Sequence, residues 1–205
     1  FTDTNSVVYG VVQSPYTGKY WLDRNLGASQ VATSSTDADA YGSLYQWGRG
    51  TDGHEIRTST KTGTLASSIT PGIDDFITSS SEWTDSEVDN NGALRAAIWA
   101  DAYHENQICP IGFRVPTEAE LAAEITSAST PVTNSEAAAS SFLKLPTAGY
   151  RTRANATLTN VGSRGYYWTS TVDGASSRNL HFSADVANFK SYNRAYGLTV
   201  RCLKN

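Results

Sequence analysis

The sequence predicts an α+β fold with an antiparallel sheet, two to four helices and long loops. Three observations carry this: both ends of the chain read with the period of two that marks strands, the middle holds helical spacing behind capping residues, and a long stretch between has neither. Beginning at the N-terminus, "VVYGVVQSPYTGKYWLDRNLGA" reads as two strands around a turn, with Pro15 and Gly18 supplying the turn chemistry. Its "TGK" lacks the glycine spacing that cradles phosphate. In "STDADAYGSLYQWG", Thr36 or Asp37 caps a predicted helix that turns Tyr41, Leu44, Tyr45 and Gly48 to one core-facing side. Thr51 to Asn91 is interrupted only by Ile73, Phe76, Ile77 and Trp83, and is read as a long loop region of the kind that carries function or binds ions.

A second helix is expected in "NNGALRAAIWADAY", where Leu94, Ile98 and Ala102 recur at every fourth position behind an Asp89/Asn90/Asn91 cap. In "VPTEAELAAEI", Thr117 and Glu120 form a capping box after Pro116, and Leu121 and Ile125 face inward. A short fourth helix is placed from Ser135 to Leu143. Then "GYYWTSTV", "NLHFSADV" and "GLTVRCLK" read as strands, with Leu198, Val200 and Cys202 on one core-facing side. The first and last strands are placed to pair.

A chain of 205 residues buries a real core, and one domain over 1–205 is expected. The net charge is −4 and the basic residues are dispersed, which excludes the electrostatic footprint of a nucleic-acid binder. No apolar run approaches the roughly 20 residues that span a bilayer, so direct membrane insertion is not expected. The absence of methionine and of a signal-peptide pattern reads as a monomeric module cut from a longer chain. With 24 Ser, 24 Thr and 16 Gly, the surface is polar and weakly charged, as in secreted bacterial modules. Cys109 and Cys202 are too few for a zinc cluster; they read as two buried thiols or one long-range disulfide, and the local patterns favour the disulfide.

Three constellations have chemical meaning. "GRGTDGHEIRTS" gathers Arg49, Asp52, His54 and Arg57, but it has no second His for a zinc-protease helix and no nucleophile motif beside it, so a loop turn with local ion pairs competes with a ligand-binding rim. Acidic and amide residues cluster at Asp37/Asp39, Asp89/Asn91 and Asp101/Glu105, the oxygen chemistry calcium needs, with helix capping as the competing reading. Tyr150, Arg151, Arg153 and Arg194, with neighbouring tyrosines, mix rigid rings with guanidinium forks, a combination suited to a binding surface.

In order along the chain, "YGVVQSPYTGKYWLDRNLGAS", "AYGSLYQWGRGTDGHE", "CPIGFRVPTEAEL", "LPTAGYR", "GYYWTST" and "VRCLK" resemble the motifs of the Fibrobacter succinogenes major paralogous domain. The resemblance implies a C-type-lectin-like fold with Cys109 paired to Cys202. It further implies a calcium-dependent, non-catalytic module of a large extracellular RTX adhesin at the bacterial cell surface. Such a module holds the C-terminus of a short peptide or protein on a target cell, with a glycan-binding lectin module as the alternative. The sugar-binding triplets of C-type lectins are missing, and "YWTST" stands where the second would fall. Formylglycine-generating enzymes, similar in fold, need reactive cysteines that the disulfide positions here do not supply.

Overall fold

The computed structural model describes residues 1–2, 7–126 and 131–205. The chain is α+β, with short strands and three α-helices among the described residues. In order these are β1 (Val11–Gln13), β2 (Tyr20–Leu22), β3 (Tyr45–Gln46), β4 (Lys61–Thr62), β5 (Phe76–Ile77), α1 (Ala93–Ala100), β6 (Phe113–Arg114) and α2 (Glu118–Thr126). They continue with α3 (Ser135–Ser140), β7 (Tyr150–Arg151), β8 (Leu158–Thr159), β9 (Gly165–Asp173), β10 (Ser176–Phe182), β11 (Ala187–Asn193), β12 (Gly197–Leu198) and β13 (Leu203–Lys204).

The first and last parts of the chain meet as expected. β1 and β2 form an antiparallel hairpin whose turn is fixed by the Ser14 hydroxyl accepting the Tyr16 and Thr17 N–H groups, and β13 pairs with β2 at Leu203 and Trp21. The sheet order is β1-β2-β13-β6. A meander, β11-β10-β9, and a third sheet, β3-β12-β7-β8, are joined to it through the C-terminal segment. There Trp168 donates its N–H to the Thr199 carbonyl at 2.9 Å, and Thr199 donates to Tyr166 at 3.1 Å. Because strand side chains alternate, β9 feeds two cores. Tyr166 and Trp168 pack with Trp47, Trp99, Leu198, Val200 and Cys202, while Tyr167 packs with Trp21, Leu121, Ile125, Leu180 and Phe182. Cys109 and Cys202 are disulfide-bonded, Cα to Cα 5.9 Å apart, closing β13 onto the segment after α1.

The structure corrects five local expectations. The helix predicted after Thr36/Asp37 is only a single 3-10 turn at Ala38–Ala40, followed by extended chain into β3. Gly42 and Gly48 hold left-handed φ angles of 70° and 75°, and a Cβ on Gly42 would lie 2.4 Å from the Leu26 carbonyl oxygen, so the helical period there is broken by backbone packing. Tyr41, Leu44 and Tyr45 are nonetheless buried. Of the inward run expected around α1, Ile98 and Ala102 are buried, but Leu94 is exposed, and Arg95 and Trp99 complete the buried side. The helix after Ser135 stops at Ser140, "NLHFSADV" is a strand only to Phe182, its remainder turning into β11, and "GLTVRCLK" is strand only at Gly197–Leu198 and Leu203–Lys204, with Thr199 and Arg201 buried as fully as Leu198, Val200 and Cys202. The 51–91 region holds a parallel β4-β5 pair and a buried Trp83. No helix among the described residues is long and apolar enough to cross a membrane.

α2 begins with the predicted capping box. Thr117 donates its N–H to Glu120 Oε2 at 2.9 Å, and Glu120 returns its own N–H to Thr117 Oγ1 at 3.2 Å. Burial pushes the Glu120 carboxyl up, but the bidentate bonds from Arg114 at 2.6 and 2.8 Å and the Thr117 donors outweigh it and hold the group down at about 2. A carboxylate depressed below its unfolded value of 4.5 contributes stability that is fully present above that value and lost as pH falls toward 2. Allowing for solvent screening, Glu120→Gln is expected to cost about 1 to 2 kcal/mol in urea melts at pH 6 and almost nothing near pH 2. An equal cost at both pH values would contradict this.

Candidate functional site

The 49–57 segment is a buried brace. Arg49 is fully buried and donates from Nε to Asp52 Oδ2 at 2.9 Å, from Nη1 to Gln46 Oε1 and the Asp75 carbonyl, and from Nη2 to the Ile73 carbonyl. His54, also fully buried, accepts the Gln46 N–H at Nε2, which puts its hydrogen on Nδ1, 2.6 Å from Asp52 Oδ1. Burial pushes this imidazole below its ordinary value against the opposing pull of Asp52, so it is neutral with both nitrogens held. A histidine in that state takes no proton from a substrate. Arg57 bonds the Ala148 and Gly42 carbonyls rather than a carboxylate, and covers the Tyr41 ring.

Two more of the predicted ligand-binding arginines are likewise spent inside the protein. Arg151 bonds the Ala156 carbonyl, the Ser59 hydroxyl and the Ser59 carbonyl, and lies 4.4 Å from the Phe76 ring centre. Arg194 bonds Ser177 Oγ, Glu82 and the carbonyls of Asn90, Asn91, Gly174 and Ser176. With Arg49 and Arg95 it belongs to a buried ladder in which Trp83 lies between Arg49 and Arg95, and Trp47 between Arg95 and Arg194, at guanidinium-to-ring distances of 5.0 to 5.7 Å. Glu82 bonds both Arg95 and Arg194, and Asp89 bonds Arg95. The ladder fastens the long loop to the core. Direct contact between these side chains and a ligand would break bonds already made.

Arg153 is different. It is half-buried, donates from Nη1 to the Ser79 carbonyl at 3.3 Å, lies 5.5 Å over the Tyr196 ring, and has a buried Nε with no hydrogen-bond partner. Tyr196 joins the half-exposed rings of Tyr150, 5.5 Å away, and Tyr192, 5.2 Å away, packed over the buried Tyr166, which lies 4.8 Å from Tyr150. β9, β10 and β11 place Tyr166, His181 and Asn188 opposite one another, so these side chains share the face that carries the rings. Burial pushes the Tyr150 and Tyr192 hydroxyls up. Arg164 lowers the Tyr150 hydroxyl against that trend, and Lys190 and Arg164 are the cations that act on His181.

No family model, curated protein or solved structure matches the chain. The functional reading therefore rests on the residues themselves.

The predicted calcium ligands serve mainly as caps. Asp89 accepts the Leu94 and Arg95 N–H groups and Asn91 accepts that of Ala93, closing the start of α1 at Gly92. Asp37 accepts Gln30 Nε2 and the Thr33 N–H and hydroxyl, bonds that hold its carboxyl below the usual range, and Asp101 accepts the Tyr103 N–H. Asp39 is exposed beside Ala40. Among the described residues, the one close group of three or more His, Cys, Asp or Glu is Asp52, His54 and Glu55, and the hydrogen bonds of His54 leave it no free nitrogen.

Glu105 alone of the predicted ligands lines a concavity: a cleft of about 160 Å³ that it shares with Gly50, Thr51, Asp52, Thr70, Gly72, Asn106 and Gln107. Glu105, the Asn106 amide and the Thr51 and Thr70 hydroxyls are hard-oxygen donors of the kind calcium takes, and the Thr51 hydroxyl is buried with no partner; Asp52 adds a carboxylate already bonded to Arg49 and His54, while the Gln107 carbonyl oxygen is taken by the Ile108 and Cys109 N–H groups. The cleft was not legible in sequence because its two sides lie some fifty positions apart.

Proposed function

We propose that the chain is a non-catalytic, calcium-dependent peptide-binding module on a C-type-lectin-like scaffold. In this reading it serves a bacterial surface adhesin outside the cell, and it holds the C-terminal carboxylate of a short peptide on a target cell against the tyrosine face. The observation that carries this is Arg153, a half-exposed guanidinium with its Nη1 bonded to the Ser79 carbonyl, lying over Tyr196 at the edge of the tyrosine cluster. A half-exposed guanidinium with one internal bond takes a carboxylate through its remaining donors, and rigid rings flank the adjoining side chains at low entropic cost. The engaged nitrogens of His54 support the non-catalytic part.

Calcium held by Asp52 and Glu105, with Thr51 and Asn106, would tie the 50–72 loop to the 105–107 segment. Its contribution there is order, supplied to the loops that the arginine ladder also fastens.

Arg153→Ala is expected to weaken a free-carboxylate peptide at least tenfold in calorimetry, in line with the roughly 1.5 to 3 kcal/mol of a hydrogen bond to a charged group. Arg151→Ala is expected instead to lower the melting temperature. Unchanged affinity in Arg153→Ala would overturn the placement, and chelation of calcium before titration is expected to lower both affinity and melting temperature.

A further inference from the structure

We infer that the cleft beside Arg153 selects a cationic side chain, lysine or arginine, near the C-terminus of the bound peptide, with Asp85 as the specificity-determining residue. This deepens the peptide reading above and rests on it. The cleft is a concavity of about 220 Å³ with Ser79, Ser80, Ser81, Glu82, Asp85 and Ser86 on its walls. It adjoins the rim where the carboxylate is expected. Ser79 donates its N–H to the Arg153 carbonyl at 2.8 Å, and its own carbonyl accepts Arg153 Nη1 at 3.3 Å. The Ser81 carbonyl accepts the N–H of Ala195, the residue before Tyr196, at 3.1 Å.

The polar groups on these walls are within reach of a ligand. Ser80, Asp85 and Ser86 are exposed, and Ser81 is half-buried. Among the described residues the Ser80 and Ser81 hydroxyls have no hydrogen-bond partner, and neither is sealed from solvent. Asp85 Oδ1 accepts the Ser86 N–H at 2.7 Å, which fixes the carboxylate, while Oδ2 has no partner among the described residues.

Charge decides which side chain fits. The Glu82 carboxylate is already taken, because both its oxygens bond Arg95 and Oε2 also bonds Arg194. Asp85 makes no ion pair among the described residues, and neither does Glu87, exposed two positions on, so uncompensated negative charge remains at the outer wall. An ammonium brings three donors and a guanidinium five, and a carboxylate oxygen flanked by open serine hydroxyls supplies the acceptors they need. An acidic side chain would meet like charge instead. A peptide with a cationic side chain near a free C-terminus places its two opposite charges on Asp85 and Arg153 at once, which sets register as well as affinity. A partly exposed ion pair of this kind is worth up to about fivefold in a binding constant.

The test is calorimetry, with calcium present, on short free-acid peptides that carry Lys, Gln or Glu at each of the last three positions in turn. At one position the wild-type chain is expected to bind the Lys member about fivefold more tightly than the Gln member and about tenfold more tightly than the Glu member, with both gaps narrowing in about 0.5 M salt. Asp85→Asn keeps an acceptor for the Ser86 N–H and is expected to erase the Lys-over-Gln gap while preserving the preference for free acid over amide. Asp85→Lys is expected to reverse the order in favour of Glu. In the unaltered chain, the amide resonances of Ser80 and Ser86 are expected to shift further on saturation with the Lys peptide than with its Gln counterpart. No Lys preference at any position, or one unchanged in Asp85→Asn, would overturn the inference and leave carboxylate capture standing. If free acids and amides bind equally well, the peptide reading itself fails, and this inference with it.

Discussion

Replacing Glu82 by alanine is expected to cost about 3 kcal/mol, the low end of the range for removing one partner of a buried ion pair, because Glu82 is itself 19 % exposed while both guanidinium groups it serves are buried. Glu82 bonds Arg95 through both oxygens at 2.8 and 3.0 Å and accepts Arg194 Nη1 at 3.2 Å. Both guanidinium groups are fully buried and stack on Trp47, with Trp83 on the other side of Arg95. Without Glu82, Arg194 keeps only hydroxyl and carbonyl acceptors and Arg95 keeps Asp89. Arginine does not escape the penalty by losing its proton. The measurement is the urea midpoint at constant slope. A loss below about 1 kcal/mol would mean that the ladder opens to water and does not fasten the loop.

The disulfide carries a comparable load by a different route. Cys109 and Cys202 are separated by 93 positions, and in the chain-entropy model such a loop is worth about 4 to 5 kcal/mol through the unfolded state. Both sulfurs lie in the core with Trp47, Trp99 and Val200, so a Cys109→Ala/Cys202→Ala double variant leaves a small apolar gap and no stranded charge. Its stability is expected to fall by that amount in denaturant, and the intact protein with reductant added is expected to match it. A double variant as stable as the parent would show that the ladder and the sheets alone hold the C-terminal strand.

Much of this architecture was legible because it is local. The Thr117/Glu120 box, the Pro15/Gly18 turn and the inward run Leu198, Val200, Cys202 are short-range patterns, and the structure reproduces each. The helix expected after Asp37 failed because Gly42 must approach the Leu26 carbonyl, a contact between segments that no period reveals. Leu94 and Arg95 exchanged their expected places because burial of Arg95 depends on Glu82, thirteen positions earlier. The same physics explains the site residues. Arg49, Arg151 and Arg194 carry the residue type of a ligand clamp, yet partners supplied by distant loops turn them into internal braces. Arg153, two positions from Arg151 and on the same short stretch, retains an unpartnered Nε. Sequence shows a guanidinium; only the fold shows whether it is already satisfied.

The most direct measurement is calorimetric titration of the wild-type chain, with calcium present, against a panel of short peptides offered as free acids and as C-terminal amides. Capture of a terminal carboxylate at the tyrosine face predicts binding of the free acid and a loss of at least tenfold on amidation, with Arg153→Ala removing most of that difference. Equal binding of acid and amide, or an acid preference untouched by Arg153→Ala, would contradict it.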